Sequence, residues 1–105
     1  MSGRRRTLIT SRSVPRFPRG TRFRFDATRQ AWLILAPERL MIPDETAVEV
    51  LKLVDGVRPV DSIAEQLSTL YQAPAEVILG DILELLQGLA DDTVLEDAAA
   101  TDPTP

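Results

Sequence analysis

Polar and apolar positions alternate strictly through Arg22, Phe23, Arg24 and Phe25, which predicts a half-buried strand over residues 21–25 with both phenylalanines on one face. Residues 26–30 are polar turn material. The run Ala31, Trp32, Leu33, Ile34, Leu35, Ala36 is then apolar at every position, as in a central strand covered on both faces. Pro37 and Glu38 mark a tight corner, and residues 39–42 read as a third short strand stopped by Pro43. Three successive strands with short links predict an antiparallel meander whose first and third strands are edges. Period-2 geometry puts Leu40 and Ile42 on one face of the third strand and Arg39 and Met41 on the other.

From Asp44 the spacing becomes helical. Asp44 is an N-cap with Glu45 in the first turn, and Ala47, Val48, Leu51 and Val54 recur at helical spacing until Gly56 supplies a stop, about three turns later. A second helix opens at Pro59 or Ser62, where Ser62 and Glu65 have capping-box spacing, and runs to about residue 71. Pro74 starts a third, to about residue 90, with residues 93–96 a short strand after it. Eight of the thirteen residues 77–89 in that third helix are large aliphatics. One packed side of a small helix cluster does not need so many. Either the helix is central and fully covered, or its surplus meets a second subunit or a ligand. The expected fold class is α+β and winged helix-turn-helix-like: a three-stranded antiparallel sheet followed by a three-helix bundle. Residues 16–97 form the domain, residues 1–15 a flexible basic arm and residues 98–105 a disordered tail.

Composition narrows the chemistry. The 105 residues include no Cys and no His, which excludes disulfides, zinc-finger and iron-sulfur sites, and any His-assisted nucleophile; no metal site is expected. A chain this short, 44% hydrophobic, buries about 60–65% of its unfolded surface and should have no deep pocket to spare. The Arg-rich start lacks the apolar stretch of a signal peptide and no run is long enough to span a membrane, so the default location is the cytoplasm. Charge is unevenly placed: residues 1–29 hold nine arginines and one acid, whereas residues 30–105 hold three basic groups and fifteen acids. A basic segment at the front is the electrostatic footprint of a nucleic-acid binder, but also of a plain solubilising arm.

The acids of the body are scattered over helix faces and caps, with no pairing that suggests catalysis and no Gly-rich phosphate loop, so no enzyme activity and no cofactor are expected. A nucleic-acid reading of the winged architecture meets a second obstacle. Residues 60–90 contain no Lys or Arg and would turn acids toward phosphates, so no nucleic-acid partner is expected. Peptide recognition fits better: an edge strand beside a helix with surplus apolar surface is the arrangement for strand addition, in which main-chain hydrogen bonds give affinity and side-chain pockets give specificity. The edge is Arg39, Leu40, Met41 and Ile42; an edge merely protected by Pro37 and Pro43 is the plainer alternative. A homodimer is weighed as well, because the apolar strand 31–36 needs cover on both faces.

The segments Leu35-Ala36-Pro37-Glu38-Arg39 and Pro43-Asp44-Glu45-Thr46-Ala47, with Asp55-Gly56, Ile63 and Leu85-Leu86-Gln87-Gly88-Leu89 beyond them, resemble the PqqD family over about residues 15–96. The resemblance implies a winged-helix-like recognition domain for ribosomally made, modified peptides, acting as a peptide chaperone in pyrroloquinoline quinone biosynthesis. It further implies that the precursor peptide PqqA is bound and presented to the radical-SAM enzyme PqqE, which cross-links a Glu and a Tyr of that peptide. In related domains the guest lies as an added strand between the third strand and the third helix. On this chain the implied contacts are Arg39, Leu40, Met41 and Ile42 with Val77, Ile78, Asp81, Ile82 and Leu85. The alternatives are a winged-helix nucleic-acid-binding regulator and a leader-peptide-binding module of another peptide-modification pathway. The Arg-rich front falls outside the resemblance.

Overall fold

The computed structural model describes residues 7–100. Its elements run β1 (Pro15–Arg16), β2 (Arg22–Asp26), β3 (Ala31–Ala36), β4 (Arg39–Met41), α1 (Glu45–Leu51), α2 (Val60–Tyr71), α3 (Ala75–Asp91) and β5 (Glu96–Asp97), followed by a 3₁₀ turn at Ala98–Ala100. The fold is α+β with three α-helices and antiparallel sheets. The expected meander is present as the sheet β2-β3-β4, but a second sheet, β1-β5, accompanies it, so the plan is not simply three strands and then three helices.

The register explains the burial. Phe23, Ile34 and Met41 lie opposite one another across the three strands, on the face that packs against the helices. Arg22, Leu35 and Leu40 form the neighbouring row on the other face, where Leu40 is 45% exposed. Both Leu33 and Ile34 are almost fully buried within one chain, so the doubly apolar strand finds its cover without a second subunit. The β2–β3 turn is organised by Asp26, whose Oδ1 accepts from the amides of Thr28 and Arg29. At the β3–β4 corner Glu38 adopts φ 64°, letting a two-residue connection reverse the chain.

Asp44 caps α1 as its sequence indicates, its Oδ1 accepting from Ala47 N at 2.8 Å. The helix is shorter than expected: it ends at Leu51, and tight turns through Leu53 and Val54 bring those side chains against the core. Gly56 serves a different purpose from a helix stop. Its φ is 77° and its amide donates to Pro15 O, docking the loop on β1. Helices α2 and α3 pack together through Ile63, Leu67, Ile82 and Leu86, which with Ile34 and Leu51 make the centre of the core. The end of α3 is a Schellman motif: Val94 N donates to Leu89 O, Thr93 N donates to Ala90 O, and Thr93 sits at φ 61°. That reversal drives Val94 into the core, where it is 1% exposed.

Residues 7–15 depart most from expectation. They do not form a flexible arm but a strap built into the domain, in which Ile9 is 7% and Ser13 3% exposed. Main-chain chemistry holds them. Helix α2 has no side-chain cap at Pro59, and its first free amides, Val60 N and Asp61 N, donate instead to the carbonyls of Ser13 and Ser11, each at 2.9 Å. The Ser62 and Glu65 capping box is therefore not used. Val14 N donates to Asp97 Oδ1, Ala98 N donates to Val14 O, and β1 pairs with β5. Residues 1–6 and 101–105, the rest of the expected arm and tail, lie outside the described residues.

Candidate functional site

The site is built from a strand edge and an adjoining cleft. Among the described residues β4 has no strand on its outer side. Hydrogen-bonded and non-bonded pairs alternate along an antiparallel ladder, and the pair closing a two-residue turn is a bonded one. Ala36 and Arg39 are that pair, so Ile34 and Met41 are bonded too, and Leu40 between them directs its N–H and C=O to the open edge. The side chains divide as the period of 2 requires. Met41 packs inward against the core, while Leu40 and Ile42, 45% and 63% exposed, point to the outer face of the sheet. Arg39 leans back on α3, where its guanidinium donates to the carbonyl of Asp92 at the helix end.

On α3 the residues expected at the site separate. Ile82 is a core residue at 2% exposure, and Ile78 and Leu85 are half-buried against the same core. Val77 is 58% exposed and Asp81 lies at the surface. Most of the surplus apolar surface of the helix is thus spent inside the domain. Ile78, Asp81 and Ile82 come together with Pro43, just beyond β4, in one open cleft of about 730 Å³. Val77, Leu85 and residues 39–42 do not line it.

The cleft also enlists residues that sequence reasoning passed over: Phe25, Trp32, Lys52 and Tyr71. Trp32 stacks on Phe23 at 4.8 Å between ring centroids, and Phe25 meets it edge-on at 5.7 Å. From the C-terminal cap of α1, Lys52 Nζ sits 5.5 Å from the centre of the Trp32 ring and 3.1 Å from Glu49 Oε2. Period-2 spacing of Trp32 with Ile34 was the available signal for the first of these, whereas the approach of Lys52 depends on how α1 packs.

Such a surface suits recognition of an extended chain: an open backbone edge for pairing, and an apolar hollow for a side chain. Among the described residues, no group of three or more potential metal ligands is assembled, and no helix is long and apolar enough to cross a membrane.

The chain is similar to known proteins along most of its length. The family model described as Coenzyme PQQ synthesis protein D (PqqD) matches residues 31–95, from the first residue of β3 to Leu95. A PqqA binding protein of Bradyrhizobium diazoefficiens is 46% identical over 98 residues, covering 93% of this chain and 95% of that protein. The bifunctional coenzyme PQQ synthesis protein C/D of Methylorubrum extorquens is 49% identical over 90 residues, which are 86% of this chain and 24% of that larger protein. Among solved structures, the PqqD truncation of Methylobacterium extorquens PqqCD, described as a stand-alone recognition element for ribosomally synthesized and post-translationally modified peptides, superposes with a TM-score of 0.73 at 49% identity, covering 86% of this chain and 96% of its own. PqqD from Xanthomonas campestris gives 0.52 at 32% identity, over 82% and 96%. With a family model matching residues 31–95 and relatives this similar along nearly the whole chain, the protein belongs to the PqqD family.

Proposed function

We propose that this chain binds the precursor peptide PqqA and presents it to the radical-SAM enzyme PqqE in pyrroloquinoline quinone biosynthesis, carrying out no bond chemistry itself. Support comes from relatives named for PqqA binding and from the recognition-element description of a structural neighbour. The carrying observation is the edge of β4. Leu40 offers an outward donor and acceptor there, and the strand leads through Pro43 to a cleft walled by Ile78 and Ile82. In this reading the peptide adds as a strand beside Arg39, Leu40 and Met41, and its side chains rest against Ile42 on the outer face and Val77, Ile78 and Asp81 of α3, with Ile82 behind them in the core. Leu85 supports that wall from the core side, and Arg39 engages a peptide carboxylate by exchanging its contact with Asp92.

Two proline substitutions test the pairing. Leu40→Pro removes a donor from the open edge and spares the ladder, so the folded variant should lose at least tenfold in PqqA affinity by titration calorimetry. Met41→Pro breaks the pair with Ile34 and should cost about 1–3 kcal/mol of stability. Undiminished affinity in folded Leu40→Pro would sink strand addition. Presentation is read separately, as cross-linked PqqA formed by PqqE with and without this chain.

A further inference from the structure

Resting on that peptide-binding reading, the geometry points to an anchor pocket: the cleft between α1, the start of β3 and α3 takes one large apolar side chain of the guest, and the guest carries a lysine or arginine next to it. The volume of about 730 Å³ falls in the roughly 300–1,000 Å³ range of ligand-holding clefts. Its walls include Trp32, Val48, Leu67, Ile78 and Ile82. Apolar walls of this kind favour an aromatic or large aliphatic group over a polar one.

The mouth has a charge of its own. Glu45, Glu49 and Asp81 line it against one base, Lys52, a balance of -2. Lys52 is already paired with Glu49, and neither Glu45 nor Asp81 has an ion pair among the described residues. An adjoining cation on the guest is drawn to these two carboxylates, and a guest carboxylate is repelled. Pro43 belongs both to the chain leaving β4 and to the cleft wall, so a strand added along β4 leads its terminal side chain to this mouth. The occupant is therefore a segment of the guest peptide with an apolar residue beside a basic one.

Trp32 is the single tryptophan, so its indole N–H signal in ¹H–¹⁵N spectra reports on the cleft alone. The labelled chain is titrated with N-acetyl-Lys-Phe-amide, N-acetyl-Glu-Phe-amide and N-acetyl-Lys-Ala-amide to millimolar concentrations. The Lys-Phe probe should move the indole signal and saturate. The Glu-Phe probe should bind about tenfold more weakly, and Lys-Ala should leave the signal in place. In the double variant Glu45→Gln, Asp81→Asn, which leaves the apolar walls untouched, the difference between Lys-Phe and Glu-Phe should vanish. A still indole signal with Lys-Phe, or equal binding of Glu-Phe, overturns the assignment. So does an indole signal that moves with protein concentration alone, which would give the cleft to a second copy of the chain. The probes are too short to pair along β4, so Leu40→Pro should bind Lys-Phe normally. Undiminished PqqA affinity in that variant is failure of strand addition alone, whereas a still indole signal with Lys-Phe beside reduced PqqA affinity in that variant is failure of the pocket alone.

Discussion

Gln87 on α3 holds Ile9 in place: its Oε1 accepts from the Ile9 amide at 2.9 Å while its Nε2 donates to the neighbouring Thr7 carbonyl at 2.7 Å and to Asp91 Oδ1 at 3.0 Å. A primary amide has a donor and an acceptor on one planar group, which is what adjacent main-chain groups of opposite kind require. Gln87→Leu keeps the bulk and removes all three bonds, two of them to the strap. It should cost about 1–3 kcal/mol in chemical denaturation and raise hydrogen exchange at Ile9. Unchanged stability would mean that the burial of Ile9 alone holds the strap.

A second prediction concerns the end of α3. Thr93 is β-branched yet held at φ 61°, a region that glycine occupies without strain. Thr93→Gly should therefore gain about 0.5–1 kcal/mol, raising the thermal midpoint by a few degrees. A loss instead would show that the contact from Thr93 Oγ1 to the Asp92 carbonyl outweighs the backbone strain.

Acid should act through Asp55. The amides of Arg58 and Val57 both donate to its carboxylate, and these bonds hold its pKa below the ordinary aspartate value against the opposing effect of burial, with a lesser contribution from the Arg58 guanidinium. Asp26 is lowered as well, first by the Arg29 amide. A folded pKa below the unfolded one means that the contribution is fully present above the unfolded value and is lost as pH falls from there through the folded one. Denaturant midpoints measured from about pH 6 downward should thus fall below the ordinary aspartate range in the wild type, and fall less steeply in Asp55→Asn. Parallel curves for the two proteins would assign the acid limb to other groups.

The elements that were legible from sequence are those whose partners are close in the chain or marked by side-chain pattern. Alternation at Phe23 and Phe25, the apolar run of β3, the Asp44 cap and the proline starts of α2 and α3 each depend on neighbours a few residues away. The strap was not legible, because it is held by carbonyls of Ser11 and Ser13 and by pairing of residues about 80 apart, and a backbone carbonyl leaves no mark in the sequence. Arginines and serines around Ile9 look the same in a free arm and in a docked one. For the candidate site, the edge strand and the α3 face were readable as periodicities. Which of Leu40 and Met41 points inward, and the arrival of α1 to close the cleft beside Trp32, depend on tertiary packing.

The pairing of β1 with β5 has a kinetic consequence. The β2–β3–β4 meander and the α2–α3 pair are closed by short connections, whereas the strap must close a loop spanning most of the chain, and closure entropy grows with loop length. The strap should then be the last part to join during folding and the first to detach from the native state, read as the lowest hydrogen-exchange protection at Val60 and Asp61 within α2. Each detachment strips the amides of Val60 and Asp61 of their acceptors, so breathing of the arginine-bearing segment is transmitted to the first turn of α2.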